Sequence, residues 1–192
     1  MRLIMEAGNV WWCSIDKEWS SYLELKYRKV IAQGWRGLGS LSFLCDGYED
    51  IWQNNKGDFC KIIQYLGKGY YGSDWWDENA GDWVRHGRDK NAPTVMYNLL
   101  GVRQGDLVVA TEGQSVKGIC QIQKNGWESY RYDGDFGFEY AQTIGGSVEW
   151  MDWDTNLFGP PPPRPAMVLG IRRIRKNTIP TIEAWNQLVL DD

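Results

Sequence analysis

The sequence lacks most of the residues from which metal and disulfide sites are built. It contains one histidine, His86, and four cysteines, none of which forms a Cys-x-x-Cys pair. A zinc site of the usual Cys/His type needs ligands grouped at short spacings, and this chain does not group them. We therefore expect reduced thiols, no metal and no cofactor.

Long apolar runs and a leader pattern are also missing. No apolar stretch approaches the roughly 20 residues that a membrane-spanning helix needs. Residues 2–6 lead directly into mixed sequence, without the apolar segment of a signal peptide. These absences predict a cytoplasmic protein with no membrane partner.

The chain has no excess of basic residues and no familiar catalytic motif. Its net charge is −4 and its pI is near 5.1, so a nucleic-acid partner requires a local basic patch. There is no Walker A motif, no G-x-G-x-x-G and no nuclease pattern of acids and lysine. His86 lies in VRHGRD with no visible partner. We expect a binding module rather than an enzyme.

Aromatic residues are abundant. The 192 residues include 12 Trp, 10 Tyr and 5 Phe within a hydrophobic content of 43%. A chain of this length is predicted to form one domain with one sizeable core. Such a core does not readily absorb every ring, so some tryptophans are expected to line a groove or pocket.

The segment GDLVVATEGQSVKGICQI, residues 105–122, predicts a β-hairpin. The apolar, β-branched run at 107–110 is typical of a strand buried on both faces. Residues 112–114 form a predicted turn, and residues 116–122 return as a second strand. An isolated hairpin is unstable in water, so other strands and helices must cover it.

Similar patterns predict the remaining elements. Strands are predicted at residues 10–15, 30–35, 127–132, 147–153 and 166–174, and helices within 18–29, 59–66, 93–100 and 181–190. Residues 67–88 read as a long surface loop, and 160–163 as a polyproline spacer. There is no internal repeat and no βαβ alternation. The pattern predicts an α+β domain, a small curved β-barrel of about six or seven strands flanked by helices.

Several of these motifs occur in a familiar order. VIAQGWRGLGSLS is followed by GDLVVA and GICQI, then by Tyr130-x-Tyr132 and SVEW. This order resembles the PUA-like superfamily, most closely the EVE-type and McrB-type N-terminal domains that read modified bases in DNA. In the second of these strands, Ile119-Cys120 stands where the domains of that group usually have a pair of small residues. The resemblance covers about residues 10–153 and includes a poorly matched insertion at about 44–90. The core of the predicted single domain spans about residues 10–176.

The first strand, VWWCSI, is similar to the W-C-S segment of YTH domains, which bind N6-methyladenine in an aromatic cage. This resemblance implies that Trp12 forms one wall and that the backbone of Cys13 and Ser14 meets the base edge. Alternation along a strand places Trp11 and Trp12 on opposite faces, so only one can enter a pocket, and burial of both in the core is the alternative. Trp35, in the G-W motif, is either a packing residue or a pocket residue.

The resemblance to YTH domains also implies a second wall of the cage, before the strand that contains SVEW and near the Tyr130-x-Tyr132 motif. Trp127, Tyr130 and Tyr132 are the candidates, together with the nearby Phe136 and Phe138. Tyr130 and Tyr132 share a strand face, so they enter the pocket together or are buried together. Asp135 can accept a hydrogen bond from a base amino group, although aspartate is also common in turns.

A rival platform is the tryptophan cluster of the 67–88 segment, Trp75, Trp76 and Trp83. Neighbouring acids argue against a phosphate backbone beside it. The alternative is an insertion held to the domain by its tryptophans.

The best candidate for phosphate binding lies near the C-terminus. The stretch between Asp154 and Glu183 contains no acid but holds the basic residues Arg164, Arg172, Arg173, Arg175 and Lys176. These cations can contact phosphates. The alternative is that these basic residues lie on a solvated strand edge and discourage aggregation there.

The sequence thus predicts a reader of a modified or flipped base, on DNA in preference to RNA. A nuclease or NTPase subunit is a fitting partner, as in restriction or phage defence. A carbohydrate or small-ligand module built on Trp and Tyr platforms is one alternative. An enzyme acting on a modified nucleotide is another, with Glu112, Glu139 or Asp135 as its acid or base.

Overall fold

A computed structural model describes residues 8–77, 79, 82–83, 89–134, 139–162 and 170–191. In chain order, the strands are β1 (Val10–Ile15), β2 (Ile31–Gln33), β3 (Trp76–Asp77), β4 (Asp82–Trp83), β5 (Leu107–Glu112), β6 (Ser115–Gln121), β7 (Arg131–Tyr132), β8 (Gln142–Ile144), β9 (Met151–Asp152) and β10 (Ile171–Ile174). The α-helices are α1 (Tyr22–Arg28), α2 (Ser42–Cys45), α3 (Lys56–Tyr71), α4 (Ala92–Leu100), α5 (Gly126–Ser129), α6 (Thr155–Phe158) and α7 (Ile179–Asp191).

The strands form separate sheets in an α+β architecture. The larger sheet has five strands in the order β10-β1-β5-β6-β9, and the smaller has three in the order β2-β8-β7. β1 runs parallel to β5, while the other pairs in both sheets are antiparallel. β3 and β4 form a two-stranded ribbon. The predicted α+β class is therefore confirmed, but within the described residues we find no closed barrel.

The central strand β1 supplies two cores. Trp11, Cys13 and Ile15 point into the main core, which α1, α3, α4 and the smaller sheet help to enclose. Val10 and Trp12 point to the opposite face. There they join what we call the second core, formed by Val10, Trp12, Leu107, Val109, Ile119, Phe158 and Trp185. Alternation along the strand explains this division, because successive side chains point to opposite faces.

The predicted hairpin is confirmed. Residues 107–110 have no exposed surface, and β5 pairs antiparallel with β6 with a register shift after Ala110. Asp106 anchors the turn before β5 because its carboxylate accepts hydrogen bonds from the Arg103 N–H at 3.0 Å and the Trp11 Nε1–H at 2.8 Å. The hairpin therefore has cover on both faces, as its apolar composition requires.

The helices are confirmed with changes in their bounds. α4 carries Pro93 in its first turn, and α7 buries Trp185 as expected. α3 continues to Tyr71, so the prediction of a loop from residue 67 is wrong over its first turn. Trp75 then stacks on Tyr71, with ring centroids 5.1 Å apart and an interplanar angle of 10°. A Cβ at Gly67 would overlap the Trp75 ring, so this glycine permits the contact.

Two predicted strands are mostly wrong. Residues 126–129 form the helical turn α5 instead, and only residues 131–132 pair as a strand. The cause is a capping box, in which Asn125 and Glu128 bond each other's backbone N–H groups. In the predicted strand 147–153, only residues 151–152 pair. β10 occupies only the end of the predicted 166–174 strand, and the preceding residues 163–169 lie outside the described part.

Candidate functional site

The candidate site centres on residues 34–41, which connect β2 to α2 and which we call the Trp35 loop. Trp35 adopts a left-handed backbone conformation, with φ 59° and ψ 51°, and its side chain is half-buried. A bulky residue is rarely found in this region because its Cβ crowds the backbone. Such a conformation persists only where the surrounding structure holds it in place, and it often marks a functional position.

A buried glutamine on β8 holds the Trp35 loop from one side. Gln142 Nε2 donates to the carbonyl oxygens of Trp35, at 3.3 Å, and of Gly39, at 3.1 Å. Its Oε1 accepts from the Tyr130 hydroxyl at 2.5 Å, and that hydroxyl accepts from the Leu41 N–H at 2.8 Å. One amide thereby connects three points of the loop backbone, so the loop has a single preferred conformation.

Tyrosines hold the loop at a further point. The Tyr132 hydroxyl donates to the Arg36 carbonyl oxygen at 2.9 Å, and the Gly37 N–H donates to the Tyr71 hydroxyl at 3.0 Å. The Tyr70 ring lies so close to Gly37 that a Cβ there would overlap it. Gly37 is therefore required for close approach of α3, and the loop lies between α3 and the β7–β8 pair.

The ends of three strands meet beside this loop. The Ser14 N–H donates to the Gly170 carbonyl oxygen at 2.9 Å, which joins the end of β1 to the start of β10. The Asp16 N–H donates to the Tyr140 hydroxyl at 2.7 Å. Gln33, the last residue of β2, donates from Nε2 to Cys13 Sγ at 3.4 Å. These contacts link the side chain of Cys13 to Gln33, which immediately precedes the Trp35 loop.

The groups that hold the loop are neutral. Burial raises the pKa of Tyr130, although the hydrogen bond from the Leu41 N–H acts in the opposite direction. Burial also raises the pKa of the Cys13 thiol to about 12. Asp133, next to Tyr132 in sequence, pairs with Arg28 at 3.1 Å. A planar, uncharged group can therefore approach this region without meeting an unpaired carboxylate from Asp133.

Two predicted cage residues are engaged elsewhere. Trp12 is 1% exposed and packs in the second core with Phe158 and Trp185, so it is an interior residue and not a pocket wall. Trp127 stacks on Tyr48, with ring centroids 5.3 Å apart and an interplanar angle of 16°. The structure therefore supports the alternative of core packing for both rings of the Trp11-Trp12 pair, since Trp11 is also buried.

Two other predicted residues meet at the Trp35 loop, since Tyr130 and Tyr132 bond its backbone. Cys13 contacts Gln33, which lies just before the loop, and Ser14 bonds Gly170. Sequence reasoning missed the glutamine partners Gln33 and Gln142, because a polar residue in a short strand gives no periodic signal. Asp135, Phe136, Phe138, His86 and Arg164 lie outside the described residues.

The predicted basic patch consists of Arg172, Arg173, Arg175 and Lys176, and all four side chains are exposed. In the described part of the chain, β10 pairs only with β1, so the patch follows a sheet edge. None of the four forms an ion pair with a described residue. They are therefore available to an anionic partner, and they also protect the edge from pairing with another chain.

The carboxylates considered as catalytic groups have different surroundings. Glu112 accepts the Tyr22 N–H at 3.1 Å and lies 3.7 Å from Lys117 Nζ, so it caps α1. Glu139 is exposed beside Tyr140. Within the described residues, no group of three or more His, Cys, Asp or Glu side chains could hold a metal ion.

Comparison of the chain with protein-family models, with curated proteins and with solved structures finds no match. In the part of the chain that the structure describes, no helix combines the length and apolar character needed to cross a membrane.

Proposed function

We propose that this protein binds nucleic acid and holds one modified or flipped base against the Trp35 loop. The observation that carries the proposal is Trp35 itself, a half-buried indole in a strained backbone conformation that Gln142, Tyr130 and Tyr132 hold in place. Extrusion of a base costs a few kcal/mol of lost stacking. Stacking on an aromatic side chain returns about 1–3 kcal/mol per base.

The rigid loop favours this role because an ordered platform loses little entropy when a ligand binds. A tryptophan that served only to fill the interior could adopt an ordinary conformation, whereas Trp35 is partly exposed and strained. The backbone of Cys13 and Ser14 is engaged within the larger sheet, where the Ser14 N–H donates to the Gly170 carbonyl oxygen, so we do not assign it to the base edge. In this proposal Tyr130 and Tyr132 position the loop and do not form the second wall.

The basic patch supports contact with phosphates. Gly170, which bonds Ser14, precedes Arg172 by two residues, so the patch begins beside the end of β1. The net charge of −4 means that such contacts are local. Each phosphate contact with duplex DNA contributes about 0.9 to the slope of log affinity against log salt, so four contacts give a slope near −3.6.

The resemblance to PUA-like domains agrees with an α+β architecture, and we propose that the chain is a divergent member with a small curved barrel. The Trp12 wall that the YTH resemblance implies is not retained in this proposal. We further propose DNA as the natural partner, a cytoplasmic setting, and cooperation with a nuclease or NTPase subunit in restriction or phage defence.

The test is fluorescence anisotropy with labelled oligonucleotides that carry adenine, N6-methyladenine, cytosine, 5-methylcytosine or 5-hydroxymethylcytosine at one position. Wild type should prefer one of these, and Trp35→Ala should weaken that binding by about tenfold or more, since one base stack is lost. Trp19→Ala is the matched control, because Trp19 is 53% exposed and lies outside the loop. Negligible binding to every oligonucleotide, or equal losses in the two variants, would contradict the proposal.

A further inference from the structure

Tyr70 is a large aromatic residue that stays exposed although it touches the Trp35 loop. It lies near the C-terminal end of α3 and is 70% exposed. Its ring contacts the loop directly, since a Cβ added at Gly37 would overlap three of its ring carbons. Gly37 follows Trp35 by two residues, and two residues span at most about 7 Å. The exposed ring therefore lies against the same short segment of backbone that carries Trp35.

The Tyr70 ring is held in place by its aromatic neighbour. It meets the Tyr71 ring edge to face, with centroids 4.9 Å apart and an interplanar angle of 74°. Tyr71 is fixed in turn, because its hydroxyl accepts the Gly37 N–H and its ring stacks on the buried Trp75. A ring that is already ordered loses little conformational entropy when a ligand stacks on it. Tyr70 is therefore a preformed aromatic surface.

Space remains beside Tyr70 for a flat ligand. Two glycines lie close to it along the chain, Gly69 and Gly72, and a Cβ added at either would meet no described atom within 4 Å. On the Trp35 loop, Gly39 has the same property. A planar group can therefore approach Tyr70 without meeting a side chain from any of these three positions.

The two segments that meet at this contact carry positive charge only, although the whole protein has a net charge of −4. Residues 34–45, which include the Trp35 loop, and residues 59–73, which include most of α3, contain no Asp or Glu. Their charged residues are Arg36, Lys61 and Lys68. Lys61 pairs with Asp58 at 2.9 Å. A polyanion can therefore pass from the Trp35 loop to the end of α3 without repulsion by a carboxylate of either segment.

We propose that Tyr70 stacks a second base, the neighbour of the base held on Trp35, so that the ligand is a single-stranded or locally opened stretch of nucleic acid. The inference rests on the proposed function and deepens it by naming the form of the substrate. Two neighbouring bases that each lie on a separate aromatic ring have left the stack of a duplex. Stacking on a ring tolerates any base, so Tyr70 contributes affinity while the Trp35 loop selects the base.

The experiment combines protein variants with oligonucleotides that lack one base. Single strands carry at the centre the tightest binder of the five bases named above, and an abasic residue replaces, in turn, each nucleotide one or two steps away on either side. Affinities are measured by anisotropy at constant salt for wild type, Tyr70→Ala, Tyr70→Phe and Tyr65→Ala. Tyr65 is the matched control, because it lies on α3, is 68% exposed and points about 140° away from Tyr70 around the helix.

Tyr70→Ala should weaken binding to the intact strand by about tenfold, as the loss of one base stack predicts. On one of the abasic strands, wild type and Tyr70→Ala should bind equally, because the base that Tyr70 contacts is already absent. Tyr70→Phe should bind like wild type, since the ring is retained, and Tyr65→Ala should cause no loss. Wild type should bind a duplex of the same sequence more weakly than the single strand.

The outcomes separate this inference from the proposed function. Absence of binding by wild type to every oligonucleotide would overturn both. A loss of binding in Trp35→Ala without a loss in Tyr70→Ala would overturn the inference alone. An equal loss in Tyr70→Ala on every abasic strand would also overturn it, because Tyr70 would then act only by supporting Gly37. Tighter binding of the duplex than of the single strand would overturn the assigned form of the substrate.

Discussion

Trp12 and Trp35 show how one residue type serves two different regions. Trp12 lies in the second core, where apolar side chains surround it and its backbone is an ordinary strand. Trp35 lies on a loop between β2 and α2, half-buried and in a left-handed conformation that hydrogen bonds to the loop maintain. In the first region packing determines the position of the ring. In the second, hydrogen bonds hold the backbone, and the partly buried ring packs against the main core while part of its surface stays exposed.

The largest expected effect is in the second core. Trp12→Ala should lower the free energy of unfolding by about 3–5 kcal/mol, because the loss of a buried ring leaves a cavity. Urea denaturation followed by circular dichroism measures this change. Trp35→Ala should lower the free energy of unfolding by markedly less than Trp12→Ala does, since the Trp35 ring is only half-buried. Equal costs for the two variants would show that the regions do not differ as we describe.

An intermediate effect is expected at Gln142. Gln142→Leu removes the donors to the Trp35 and Gly39 carbonyl oxygens and the acceptor of the Tyr130 hydroxyl. We expect a loss of about 2 kcal/mol of stability, since partners are left unpaired in a buried site. Hydrogen exchange should become faster in the Trp35 loop while β1 and β5 keep their protection. Uniform acceleration across the chain would instead assign Gln142 to the global core.

The smallest effect concerns Cys13, which follows Trp12 on β1 and points into the main core. Burial raises the pKa of its thiol from 9.0 to about 12. A raised folded-state pKa gives stability that is complete below the unfolded-state pKa and is lost as the pH rises above it. Between pH 8 and pH 10, Cys13 should therefore contribute a loss of about 1 kcal/mol. Cys13→Ala should show a correspondingly flatter profile, and identical profiles would contradict this assignment.

Sequence reasoning succeeded where a local pattern reflected burial. The apolar run at 107–110 and the amphipathic segment of α7 were predicted because their spacing reports which faces are covered. It failed at residues 127–129, where an Asn-x-x-Glu capping box formed a helical turn despite an alternating pattern, whereas residues 131–132 do pair as a strand. The YTH resemblance also implied a pocket role for Trp12, with burial as the alternative, and alternation could not decide between them because it does not say which face an additional helix will cover.

Local patterns along the chain were enough to predict the hairpin, the first strand with its two faces, the main helices and the basic stretch around Arg172, because each depends on neighbouring residues. Two further features depend on how distant elements pack: α6 and α7 cover Trp12, and Gln142, Tyr130 and Tyr132 hold the Trp35 loop. The hydrogen bonds to the Trp35 loop join residues that lie about 90 or more positions apart in the sequence. No periodicity within a segment reports them, since they form only when distant elements pack together.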